Sequence, residues 1–465
     1  MTAASTDDTS AAIRELGRQV AAGFLRPAAA LLLASLGFGL LLALYYTPLA
    51  AQLNQLGLRL YLLRPLHTGA AMAWIYLAGM AMAQRWLFEH VAAHAPPDRA
   101  LTRARRMAWR ARLQQGLWIA SALLATAAYA TGHTSGREYL EYPPWLAIPI
   151  LAGWLLFAAN FIAATRFALG SLPVYAWMWG TSVLLFVTSF LEAQAWLLDV
   201  LRARPVRDMA IQWQAMGSLV GSFNLLVYGS LSWLATRLSA DATYARSNTA
   251  WALFLVGILN SFTNYGHHTY HLPQGETMKW VSFVVSMSEI AIFAKVAWDC
   301  SGLARKWAGR GGWPVVSALL IATTAWTALQ LLLALVISVP PLNVFVHGTL
   351  AIPAHSMGTL IGIDTMAMLA VGLWLAGERH GEQAQSPRPH IGGVVLANAG
   401  LALMWSALLW VGVESGLRMA RIGTLPWAGT FPDWLGPSLL LAGILLLAGI
   451  GALVGPLLRK HPTRG

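Results

Sequence analysis

Apolar stretches long enough to cross a lipid bilayer recur along almost the whole chain, and this repetition constrains the fold more than any other feature. A hydrocarbon core needs roughly 20 apolar residues per helical crossing. On that measure the sequence predicts about twelve spans, near 28–50, 66–86, 115–132, 145–165, 173–200, 210–236, 249–267, 280–300, 313–338, 345–377, 393–413 and 435–457. Backbone groups in lipid must find partners within their own segment, so spans of this length are helices rather than barrel strands. No low-complexity tract, short repeat or linker divides the chain. The expected fold is an all-α polytopic bundle, one membrane domain over residues 1–465 with a cytoplasmic N-terminal segment at 1–27.

The formal charge of +12 could suggest a nucleic-acid partner, but the basic residues lie between spans and read as topology. Arg14, Arg18 and Arg26 precede the first span, Arg99 to Arg112 fill the loop after the second, Arg305, Lys306 and Arg310 follow the eighth, and Arg459 and Lys460 follow the last. The positive-inside rule makes these cytoplasmic, as in a bacterial or archaeal inner membrane. Both termini then face the cytoplasm, odd-numbered spans run outward, and even-numbered spans run inward. Arg202, Arg204, Arg207, Arg418 and Arg421 fall outside and break the rule. The first apolar run is longer than a signal-peptide core and is read as retained. One cysteine, Cys300, excludes an internal disulfide, a thiolate cluster and C-x-x-C-H haem attachment.

Histidine therefore carries the chemistry. An ionisable residue in a membrane span is costly and signals function by default, and imidazole is a common ligand for haem iron and copper. His90, His94, His380, His390 and His461 lie in or beside cytoplasmic loops and read as solvated. His67 begins an inward-running span, His267 and His268 end an outward-running one, and His355 lies early in another inward-running span. A single intramembrane histidine more often bridges helices, but four in the outer half of the bundle, from three spans, point to ligation.

These residues stand in three motifs that resemble the large subunit of the haem–copper oxidase superfamily, and more its nitric oxide reductase branch than its proton-pumping oxidases. "LRPLHT" is similar to the second-span segment whose histidine binds the low-spin haem. "GHHTYHLP" is similar to the seventh-span double histidine that holds the non-haem metal, and "VHGTLAIPAHSMG" to the tenth-span segment that offers one histidine to each haem. The resemblance implies two haems and one non-haem metal: His67 on the low-spin haem, His355 on the high-spin haem, and His267 and His268 on the metal.

Two positions depart from the family pattern. The tenth-span segment usually ends in H-x-H, and here residue 357 is methionine. Residues two apart on a helix lie about 200° apart around its axis, so His355 and Met357 could address different haems, and Met357 is the expected second ligand of the low-spin haem. The sixth span, "QWQAMGSLVGSFNLLVYGSLSW", has no histidine where the family supplies a third metal ligand. The spacing of "FNLLVYG" puts Asn224 there and Tyr228 one turn later on the same face, with a register on Ser218 as the alternative. An oxygen donor favours iron over copper, so iron is the expected metal and copper the alternative.

Glu289 resembles a reductase glutamate near the metal pair and would deliver protons, with Asp364 and Lys295 as further candidates. Arg418 and Arg421 could pair with haem propionates, and His271 could orient a ligand. The implied activity is reduction of two NO to N2O. The alternatives are a terminal oxidase acting on O2, for which Tyr228 speaks, and a non-catalytic haem-binding membrane protein, for which the missing histidine speaks. The chain offers no quinone signature, so the implied electron donor is an outer-side subunit with a c-type haem or copper centre, docked over the outer arginines. The other partners are the gas and membrane lipid, with no nucleic acid.

Overall fold

The structure, a computed structural model, describes residues 6–166, 169–288, 290–309, 314–380, 391–422 and 431–458. Among them twelve helical rods follow the expected spans, with no strand. They are α1 (Thr6–Ala43), α2 (Leu60–His94), α3 (Pro97–Ala130), α4 (Ala147–Thr165), α5 (Val174–Ala193), α6 (Pro205–Ser239) and α7 (Asn248–Thr263). Next come α8 (Glu276–Met287, continued by Ile290–Gly309), α9 (Pro314–Ile337), α10 (Ala351–Met357 through Met366–His380), α11 (Ile391–Ile422) and α12 (Leu435–Leu458). Ten of the described helices are long and apolar enough to cross a membrane; α3 and the shorter α7 are the two that fall below that measure.

Two boundaries differ from the sequence reading. The stretch containing Arg99 to Arg112 is not a loop but the first half of α3. Ala100, Ala104, Met107, Ala108 and Ala111 are buried along one face while the arginines line the other, so the charge is carried on an amphipathic helix. Residues 6–27 are likewise the start of α1, not a separate tail, with Ile13, Val20, Phe24 and Leu25 fully covered. His90, expected in solvent, is buried and stacks on Trp86 at 4.8 Å between ring centroids.

Three contacts set the depth of the functional residues. The Trp74 indole N–H donates to Thr365 Oγ1 at 3.2 Å, fixing α2 against α10. Ser218 Oγ donates to the Ser261 carbonyl at 2.6 Å, and a Cβ added to Gly221 would lie 2.1 Å from Ser261 Oγ, so α6 and α7 pack at close range through small residues. Within α10, residues Gly358–Thr365 widen into a π-helical stretch just after Met357, a distortion often found beside functional sites.

Candidate haem and metal site

His67 lies two turns into α2, facing α1. Its Nδ1 is 2.8 Å from the Ser35 carbonyl oxygen, and Ser35 Oγ donates back to the His67 carbonyl at 3.0 Å. A carbonyl only accepts, so the ring places its proton on Nδ1 and leaves the Nε2 lone pair for a metal. Gly39 makes room for the ring: a Cβ there would come within 3.1 Å of His67 Cε1.

Met357 stands at the same depth. Successive spans alternate in direction, so α2 and α10 are parallel, and their register is fixed where Trp74 meets Thr365. Stepping back seven residues on α2 and eight on α10 reaches His67 and Met357. His355, two residues before Met357, points to the other side, where its Nδ1 lies 3.0 Å from the Gln330 amide on α9. The donor set suits the groups that the motifs imply: two half-buried imidazoles with Nδ1 engaged, and a thioether level with one of them.

At its C-terminal end α7 tightens into a 3-10 turn, Asn264–His268, which carries both members of the double histidine. Their ring centroids are 4.0 Å apart and tilted by 41°. His267 Nδ1 lies 3.0 Å from Ser286 Oγ on α8, and His268 lies flat on Trp213 of α6, with centroids 5.2 Å apart and planes within 3°. His355 and His347 are close enough that a charge on either acts on both His267 and His268. The structure thus sets His267 and His268 side by side, with His355 within their electrostatic range. Among the described residues no three His, Cys, Asp or Glu side chains converge on one metal position, so the double histidine supplies a two-imidazole site that needs a further donor.

Not every expected residue joins this cluster. Asn224 stands eleven residues beyond Trp213 on α6, about 16 Å of helix rise further along the helix. At its level α6 meets α7 near Gly257, where Leu225 packs. Neither Asn224 nor Tyr228 is brought to the histidines, because the α6–α7 register puts Trp213 there instead. Ser218 is spent on the Ser261 carbonyl. Glu289 lies outside the described residues. Asp364 is buried in the π-helical stretch, and Lys295 is exposed and paired with Asp299 at 2.7 Å. Arg418 is exposed and paired with Glu414, and Arg421 is exposed at the end of α11, so neither faces the cluster.

Sequence reasoning missed four contributors. Ser35, Ser286 and Gln330 are ordinary polar residues whose partners lie 19 to 32 positions away, and nothing local marks them. His347 was within reach, eight residues before His355 in the same motif. It stacks on His271 with centroids 4.6 Å apart, so His271 meets another histidine rather than orienting a ligand. Burial and the neighbouring His271 hold the His347 imidazole below its ordinary range.

Residues 19–454 match the family described as cytochrome c and quinol oxidase polypeptide I. No curated protein matches the sequence significantly. Among solved structures, a haem–copper terminal oxidase dimer determined by electron cryo-microscopy superposes with a TM-score of 0.69 at 14% identity, over 95% of this chain and 83% of that one. At that identity the likeness speaks for the fold. The family match includes all or most of every helix described above, omitting only the start of α1 and the end of α12, and covers His67, His267, His268 and His355. The chain therefore belongs to the family of cytochrome c and quinol oxidase polypeptide I, the membrane-embedded oxidoreductase subunit of haem–copper oxidases, a family that binds haems and a non-haem metal.

Proposed function

We propose that this subunit reduces two NO to N2O and water, taking up two electrons and two protons, between a high-spin haem on His355 and a non-haem metal on His267 and His268. A low-spin haem on His67 and Met357 would receive the electrons. The observation that carries the reading is the pairing of His267 with His268, their ring centroids 4.0 Å apart and His355 within electrostatic range, while α6 presents Trp213, not a histidine or tyrosine, against His268. In many oxidases of the superfamily the sixth span supplies both a histidine and a tyrosine one turn on, and Tyr228 stands about 22 Å of helix rise beyond Trp213, too far along α6 for that duty. When bound, the two metals bind the gas and pass electrons to it. The chain's own part is to hold His67, His355 and His267 through the Ser35 carbonyl, the Gln330 amide and the Ser286 hydroxyl, and to fix the plane of His268 on Trp213.

A pair of imidazoles suits iron or copper; iron is the proposed metal, and metal analysis decides. Glu289 is proposed as a proton donor on the strength of its motif alone. Electrons are proposed to come from an outer subunit with a c-type haem or copper centre, supported by the exposed Arg202, Arg204 and Arg207 at the start of α6. The test is turnover by the purified protein with an artificial reductant. Anaerobic NO consumption with one N2O per two NO supports the reading. Oxygen uptake without NO consumption assigns a terminal oxidase instead, and loss of neither gas assigns a non-catalytic role.

A further inference from the structure

We propose that Gln330 is a positioning residue for the haem ligand His355, and that Trp405 competes with His355 for its single amide oxygen. The inference rests on the reading that His355 carries the high-spin haem. Gln330 is 2% exposed and threads past Gly358, where an added Cβ would lie 1.9 Å from its amide nitrogen. The side chain is therefore confined, and its amide oxygen and nitrogen can occupy the same two places in either order.

The two orientations satisfy different neighbours. In one, Oε1 accepts from His355 Nδ1–H at 3.0 Å but also faces the His355 carbonyl oxygen at 3.1 Å, acceptor against acceptor, and the amide NH2 then faces the Trp405 indole N–H, donor against donor. In the other, Oε1 accepts from Trp405 Nε1–H at 2.9 Å, and the NH2 donates to the His355 carbonyl at 3.1 Å and to Nδ1 at 3.0 Å. Trp326, beside Trp405, donates to Asn398 Oδ1 at 2.8 Å and makes no demand on Gln330.

A neutral imidazole that binds iron through Nε2 keeps its proton on Nδ1 and needs an acceptor there. Ligation by His355 thus calls for the first orientation, which leaves the Trp405 N–H opposed by the amide. The second orientation serves Trp405 and directs a donor at Nδ1. Trp405 consequently weakens the hydrogen bond that makes His355 a more basic ligand, and holds the haem iron–histidine bond softer than Gln330 alone would set it. A carboxylate in place of the amide removes the conflict with Trp405, because both of its oxygens accept, and leaves only the contact with the His355 carbonyl unrelieved.

Resonance Raman spectroscopy of the reduced, purified protein reads the iron–histidine stretch directly. Trp405→Phe, which keeps a ring but loses the N–H, is expected to raise its frequency, Gln330→Glu to raise it further, and Gln330→Leu to lower it. An unshifted stretch in Trp405→Phe and Gln330→Leu overturns the inference while leaving the haem assignment intact. A high-spin haem retained in His355→Ala overturns the assignment itself, whatever the other variants show.

Discussion

His67 and His355 sit within regular helices, whereas His267 and His268 sit on the 3-10 turn that ends α7, and the two settings control their rings by different means. The helical pair is held at Nδ1 by amide-type groups, the Ser35 carbonyl at 2.8 Å and the Gln330 amide at 3.0 Å. On the turn, His267 meets a serine hydroxyl and His268 only the face of Trp213. A hydroxyl donates or accepts as required, and a stacked ring holds a plane without choosing a tautomer. On the proposed assignment the fold would set the His67 tautomer before a cofactor arrives, while the double histidine would take its final protonation state from a bound metal.

The largest effect expected from this difference is at the turn. His268→Ala should empty the non-haem site and abolish gas reduction while both haems stay, because a two-imidazole site cannot spare one ligand; metal analysis and haem content measured together check this. Met357→His should keep two haems and lower the low-spin potential by on the order of 0.1 V, since thioether ligation raises it. An unchanged redox titration would remove Met357 from the haem. Ser286→Ala should be milder, weakening metal affinity about tenfold by releasing the His267 ring, as read by chelator competition. If it instead lost a haem, the division between the two settings would collapse. Arg418→Gln should change neither haem content nor potential, because its side chain is exposed and engaged by Glu414.

The bundle was legible because lipid leaves the chain so little choice: span length and apolarity located the helices, and motif order placed His67, His267, His268 and His355. Where the sequence reading slipped, the cause was relative depth. Asn224 fits its motif by spacing, yet spacing along α6 says nothing about which residue of α7 it meets, and the close contacts of Gly221 and Ser218 with Ser261 fix that register. The arginines of α3 looked like a loop because charge masks helical periodicity until the alanines on the opposite face are counted. Arg418 fitted a propionate role by its side of the membrane, but a glutamate one turn away claims it. Gln330 and Ser286 were invisible for a simpler reason, that a supporting hydrogen bond is made across helices and leaves no local pattern.

Pyridine haemochrome assay with metal analysis of the purified wild-type chain tests the central claim most directly. The account predicts two haems and one additional metal ion per chain, the extra metal lost in His268→Ala and one haem lost in His355→Ala. A single haem in the wild type, or two haems with no further metal, would contradict it.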